Sequence, residues 1–214
     1  MSAPALDQHA ILQAYADAAV AARDELTRLD QLAGDGDFGD NLREGLAAVR
    51  AGIEAAPGEP AFRTGAQVFL DEVGGTSGPL LGLLLQSVAQ ALGTAGAAGD
   101  ERHAFADGVR EGLAAIQRVG EAEVGDRTLV DALSPAADAL AEGAGYADVA
   151  RRARQGALDT ADLRARQGRA SYLGDRAKGA PDAGALGVAL LFWAVARVAE
   201  PDADLGDPVA FVSP

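Results

Sequence analysis

"LDQLAGDGDFGDN", Leu29 to Asn41, crowds four aspartates and three glycines into thirteen residues. Helical spacing runs up to this stretch and resumes after it, so it reads as a bend between two helices. The chain already carries a formal net charge of −14, and carboxylates held this close repel unless a cation offsets them. Asp30, Asp35 and Asp37 offer hard oxygen ligands, while Gly34, Gly36 and Gly39 let the backbone aim them inward. An oxygen-only set selects Mg²⁺, Mn²⁺ or Ca²⁺ over zinc or copper. A calcium EF-hand fails: starting its loop at Asp35 puts Asp40 at the required glycine and Leu46 at the required glutamate. Mg²⁺ shares its coordination with water and substrate phosphates, so an acidic bend is a way for an anionic protein to hold an anionic nucleotide. A plain capping turn, with Asp37 or Asp40 starting the next helix, accounts for the same letters.

The chain around this bend predicts an all-α domain spanning residues 1–214. Strand signals are weak, and alternating β-branched runs are absent. Apolar residues recur at helical spacing in residues 5–26, where Leu6, Ala10, Tyr15, Ala18, Ala22 and Leu26 fall near one face. The pattern repeats over 42–53, 62–73, 80–92, 105–119, 129–140, 146–167 and 182–199, which makes about eight helices. Short glycine-rich connections favour an antiparallel up-and-down arrangement. The tail from Asp202 has no clear helical pattern and is expected to pack along the surface. With 49% hydrophobic and 23% charged residues, the composition is that of a globular chain.

The same composition narrows the partners. No basic stripe exists to displace the counterions of a nucleic acid. Cysteine is absent, which excludes disulfides and thiolate metal sites. The N-terminus lacks the features of a signal peptide, and the longest apolar run, Gly184 to Ala196, is shorter than the roughly 20 residues that span a bilayer. A buried helix and a cytoplasmic protein without a membrane partner are expected.

Three further segments interrupt the helices. In "GGTSGPLLG", Gly74 to Gly82, glycines and hydroxyls lead into an apolar helix; backbone N–H groups at such a helix start suit a phosphate. It is not a P-loop, because the lysine is missing, and an N-cap by Thr76 or Ser77 with Pro79 early in the helix reads equally well. In "GEAEVGDRTLVDALSP", Gly120 to Pro135, Thr128 and Asp131 form a capping-box pattern; this explains neither Gly120 nor the Gly125-Asp126-Arg127 turn. In "GRASYLGDRAKGAPDAGA", Gly168 to Ala185, Arg169, Arg176 and Lys178 form a local basic loop. Such a loop either neutralises phosphate oxygens or is simply solvated.

Taken in order, "GDGDFGDN", "GGTSGPLLG", "GDRTLVDAL" and "GRASYLGDRAKGAPDAGA" closely resemble the nucleotide-binding subunit of dihydroxyacetone kinases, the DhaL or Dak2-type domain. The resemblance runs from the first helix to about Ala199. It implies an eight-helix antiparallel up-and-down barrel with a nucleotide, ADP or ATP, at one mouth. It further implies that Asp30, Asp35 and Asp37 bind two Mg²⁺ ions bridging the nucleotide phosphates, and that Phe38, Gly39, Asp40 and Asn41 line the same mouth. Thr76 and Ser77 would contact phosphates, Gly120 and Leu129 would border the adenine, and Arg169 with Asp182, Ala183 and Gly184 would close over the nucleotide. Asp30, Asp35, Asp37 and Arg169 form the expected catalytic set. Two departures stand out: Phe38 where the family often has His, and Asp182-Ala183-Gly184 in place of D-P-G.

In this family the ketose sits on a separate DhaK-like subunit, bound through a histidine, so phosphoryl transfer across an interface is implied. The donor is either exchanging ATP, or ADP recharged by a phosphohistidine protein of the sugar phosphotransferase system. The acceptor implied is dihydroxyacetone or a related small ketose. A Dak2-like module serving a tetrulose or a fatty acyl group, a non-catalytic nucleotide-binding regulator, and a homodimer are the other readings left open.

Overall fold

The computed structural model describes residues 6–96 and 99–214. Residues 1–5 of the N-terminal stretch and 97–98 of the 93–100 connection lie outside the described residues. The chain forms α1 (Gln8–Ala33), α2 (Phe38–Ala55), α3 (Ala61–Asp71), α4 (Ser77–Ala95), α5 (Glu101–Gly120), α6 (Val130–Ala141), α7 (Tyr146–Asp159), α8 (Ala183–Ala199) and α9 (Pro208–Val212). No strand occurs among the described residues. Each helix from α1 to α7 packs on the next, and α8 returns to α1, closing a ring of eight antiparallel helices.

Local chemistry sets the starts. Asp7, Asp100, Asp182 and Asp207 each accept a hydrogen bond from the backbone N–H three residues on, capping α1, α5, α8 and α9. The apolar run expected to be a buried helix is one: every residue from Ala185 to Ala196 in α8 is buried. Among the described residues, no helix is long and apolar enough to cross a membrane.

Alanine and glycine, abundant in the sequence, set how closely the helices approach. A Cβ on Gly108 of α5 would lie 2.6 Å from Val88 Cα of α4, and one on Gly156 of α7 would lie 2.2 Å from the Asp131 carbonyl oxygen of α6. These pairs therefore meet backbone to backbone, which brings every buried side chain nearby into register.

Two expectations change. The helix expected over 146–167 ends at Asp159, followed by a 3₁₀ turn at Thr160–Asp162. Thr160 is fully buried, and its hydroxyl accepts from the Asp182 N–H at 2.7 Å while donating to the Ala157 carbonyl. The Arg166 N–H donates to the Asp126 carbonyl at 3.1 Å. Tertiary hydrogen bonds thus outbid a helical periodicity that continues in the sequence. The tail beyond Asp202, expected to lack helix, contains α9, whose Phe211 and Val212 are buried against α1 and α8.

Gly156→Ala is expected to lower stability in urea denaturation by ~1–3 kcal/mol, because the new Cβ meets rigid backbone. Gly93→Ala, on α4 with no described atom within 4 Å of the added Cβ, should instead raise stability by about 0.5–1 kcal/mol through helix propensity.

Candidate functional site

Up-and-down winding puts the α1–α2, α3–α4, α5–α6 and α7–α8 connections at one end of the ring. These are the four irregular segments singled out in the sequence, and together they surround a cavity of about 220 Å³. Its upper wall is polar. Deeper, it is lined by the buried Leu42, Phe69, Leu81, Ile116 and Val130, so a ligand with a polar end and an apolar end suits its lining.

The four segments touch. A Cβ on Gly75 would lie 3.7 Å from Asn41 Nδ2, joining the second segment to the first. One on Gly184 would lie 3.5 Å from Ser77 Oγ and 4.0 Å from Leu129 Cβ, joining the fourth to the second and third. Arg169 reaches back to the first segment, pairing with Asp35 and, at 3.6 Å, with Asp37.

Asp30 sits in the last turn of α1, and its Oδ2 accepts from the Gly36 N–H at 2.9 Å and the Phe38 N–H at 3.2 Å. Gly36 adopts φ +80°, the left-handed conformation that folds the bend back over Asp30. Gly34 lies so close that a Cβ there would stand 2.3 Å from Asp30 Oδ1. As a result Asp30, Asp35 and Asp37 each offer an oxygen within 4.8 Å of the others, a hard-donor set that fits Mg²⁺ or Mn²⁺.

The same end collects the N-termini of α2, α4, α6 and α8. Neither Asp37 nor Thr76 makes a side-chain cap to its helix. The start of α4, with Gly75 at φ +76° ahead of it, therefore turns uncapped N–H groups and a positive dipole end toward the cavity, where an anion is favoured.

Most residues expected at the site line this cavity: Asp30, Asp35, Asp37, Phe38, Asn41, Thr76, Ser77, Gly120, Leu129, Arg169, Asp182, Ala183 and Gly184. Gly39 and Asp40 do not. Gly39 faces α1, where a Cβ would lie 2.4 Å from the Arg23 carbonyl; it is the contact glycine of the α1–α2 crossing. Asp40 is held by Arg23, whose Nε donates at 2.9 Å, and by Arg43 at 3.2 Å. Phe38 is buried, with its ring over Gly187 of α8, so it serves as a wedge in the mouth's floor. Of the other basic-loop residues, Lys178 pairs with Asp175 at 3.2 Å away from the cavity, and the Arg176 side chain lies outside the described set.

The sequence reading passed over Arg127, which lines the cavity with only 1% of its surface exposed. Its signal was the unexplained Gly125-Asp126 turn before it. Asp131 builds that turn: its carboxylate accepts from the Gly125 N–H at 2.6 Å and the Thr128 N–H at 2.8 Å. Half of the capping box read from Thr128 and Asp131 forms: Asp131 returns to the Thr128 N–H, whereas Thr128 Oγ1 accepts from the Val130 N–H at 3.2 Å and α6 starts after Leu129 without a side-chain cap. Near Arg127, burial pushes the Asp182 carboxyl up to about 6, with Asp30 and Asp131 adding to the rise and Arg127 opposing it. Burial likewise lowers the Arg127 guanidinium from its ordinary value.

Comparison with known proteins bears on this arrangement. The DAK2 domain model matches residues 32–197. An L-erythrulose 1-kinase of Mycolicibacterium smegmatis is 37% identical over 197 residues, covering 87% of this chain and 34% of the kinase. The ADP-binding subunit DhaL of a PEP-dependent dihydroxyacetone kinase of Listeria innocua is 36% identical over 177 residues, 79% of this chain and 84% of that subunit. Among solved structures, the native dihydroxyacetone kinase of C. freundii matches with a TM-score of 0.68 at 26% identity, over 92% of this chain and 35% of that one. The chain spans about a third of the length of the erythrulose kinases it matches.

Asp182 gives a pH test. Its folded-state value lies above its unfolded one, so between the ordinary carboxylate range and pH 6 the folded chain binds more protons, and this group's contribution to stability falls as pH rises. Asp182→Asn keeps a capping side chain and should flatten that fall: relative to the parent, the variant gains stability in thermal melts as pH climbs from 4 to 7. A constant difference across that range would show that Asp182 is not perturbed.

Proposed function

This chain belongs to the DAK2-domain family, and from that premise we propose that it is the nucleotide-binding part of a cytoplasmic kinase. In this reading it passes a phosphoryl group from Mg-bound ATP or ADP-linked phosphate to dihydroxyacetone or a related small ketose. One observation carries it: three carboxylates converge within 4.8 Å beside the uncapped start of α4, at the mouth of a cavity whose depth is apolar. Carboxylates alone would call for a cation, and the helix start alone for an anion. Side by side, they call for a metal–phosphate pair, with the base of a nucleotide in the apolar depth.

Asp30, Asp35 and Asp37 would hold two Mg²⁺ ions, which when bound neutralise charge on the phosphate oxygens. The chain's own residues do the rest. Asp30, pinned by two backbone N–H groups, fixes the site with little reorganisation. Thr76, Ser77 and the first N–H groups of α4 orient phosphate oxygens, Leu129 and Gly120 flank the base, and Arg169 is released from Asp35 and Asp37 to bear on the transferring group. In this reading the acceptor is presented by a DhaK-like partner, which the similarity to a DhaL subunit supports. The L-erythrulose 1-kinase similarity favours a tetrulose as the second acceptor to test.

Calorimetry with ADP decides the first step: heat that requires Mg²⁺ is expected, and its absence would remove the nucleotide reading. Asp35→Asn and Asp37→Asn should each weaken Mg-ADP binding on the order of a hundredfold, equivalent to ~3 kcal/mol, with helicity by circular dichroism unchanged. Arg169→Ala is expected to act in opposite directions. Mn²⁺ binding followed by electron paramagnetic resonance should tighten, since a competing cation has gone, while Mg-ADP binding weakens. Turnover is expected only when a ketose-binding partner is added, with dihydroxyacetone and erythrulose compared as acceptors.

A further inference from the structure

Arg127 is a large, fully buried cation placed at some cost. Its backbone adopts φ +63°, one of two non-glycine residues among those described with positive φ, a conformation disfavoured for a side chain of this size. The turn is locked by Asp131, as above, and by Asp126, whose carboxylate accepts from the Glu123 N–H at 2.8 Å and pairs with Arg166 at 3.2 Å. The lock drives the Arg127 side chain into the barrel rather than out into water.

Inside, the guanidinium is under-employed. Nη2 donates to the Ala180 carbonyl at 2.8 Å, while Nε and Nη1 are buried with no partner among the described residues. Asp182 stands near enough for its charge to be felt, but its Oδ1 is spent on the Ala185 N–H at 2.8 Å. A buried cation with unmade hydrogen bonds is unfavourable unless something completes it. Because Arg127 lines the same cavity as Asp30, Ser77 and Gly184, what completes it has to come through that cavity, and a cation asks for an anion.

We propose that Arg127 is a phosphate-binding residue of this site, its free Nε and Nη1 donors completed by oxygens of the nucleotide's phosphate chain. The inference rests on the nucleotide reading above and adds to it a basic contact from the α5–α6 turn. The ligand class is a nucleoside di- or triphosphate; an uncharged nucleoside would leave the guanidinium as it is. The Ala180 bond ties the same guanidinium to the segment leading into α8, so phosphate arriving at Arg127 also steadies Asp182 and Gly184 over the ligand.

The test compares ADP with adenosine, both with Mg²⁺, on the parent and on Arg127→Lys and Arg127→Gln. Loss of a charge-assisted hydrogen bond should weaken ADP binding by about tenfold to a hundredfold and leave adenosine binding unchanged. Equal losses for both ligands, or none for either, would overturn the proposal and leave Arg127 a strut for the Ala180 segment. Should the variants fail to fold, ¹⁵N-arginine spectra of the parent decide. The Arg127 Nε–H resonance should shift and exchange more slowly with solvent on adding Mg-ADP but not on adding Mg-adenosine; a resonance indifferent to Mg-ADP would refute the contact. A parent that binds no ADP at all would instead remove the nucleotide reading, a different failure from variants that bind ADP as the parent does.

Discussion

Three carboxylates with oxygens inside 4.8 Å of one another are the constraint on which the rest of the molecule depends. Each such pair repels by ~1 kcal/mol in water and about four times that near a protein surface, in a chain already at −14. The fold makes no attempt to separate them. It pins Asp30 under the N–H groups of Gly36 and Phe38 and uses a left-handed glycine to bring Asp35 and Asp37 over it. Within the chain, the offsetting cation is Arg169, bridging Asp35 and Asp37 from the neighbouring α7–α8 connection. That pairing joins the two segments most distant in sequence of the four that form the mouth. It is also partly exposed, hence weak and exchangeable.

The barrel converts winding into electrostatics. Antiparallel helices send alternate connections to one end, and there the starts of α2, α4, α6 and α8 face the cavity. Each start brings a fractional positive charge, and that of α4 has no side-chain cap, so four helices concentrate a field that no basic patch in this acidic chain supplies. Close packing keeps that field fixed: where Gly156 meets the Asp131 carbonyl and Gly108 meets Val88, backbones touch and the helix starts have little freedom to drift.

Much of this was legible in the sequence. Helical spacing without strand signals gave the class and the count of ring helices, and glycine-rich interruptions marked the connections that gather at the mouth. The acidic bend and the α4 start could be read as cation and anion sites beside a plain capping reading, and the family resemblance alone singled out Arg169 from Arg176 and Lys178. What failed to show was tertiary. Helical periodicity persists past Asp159, and nothing local reveals that the Thr160 hydroxyl is needed by the Asp182 N–H. Gly39 and Asp40 sit within a motif whose other residues face the cavity, and only the α1–α2 crossing turns them toward Arg23. Arg127 was hidden for a related reason. Beside Asp126 in a glycine turn, it has the look of a solvent-facing ion pair, yet it is Arg166 that pairs with Asp126 and Arg127 that goes inside.

Those placements divide the mouth by charge. Asp30, Asp35 and Asp37 make one part attractive to cations, while the α4 start, Arg127 and the first turn of α8 make another attractive to anions. Arg127 and Asp182 partly neutralise each other, yet both remain perturbed toward their uncharged forms by burial, so neither fully meets the other's need. A polyphosphate with its metal would satisfy both parts at once: the carboxylates would hold the metal, and the helix N–H groups and the guanidinium would hold the phosphate oxygens. Either ligand alone would meet half of the field and be repelled by the remainder, so under the proposed function metal and nucleotide would enter cooperatively.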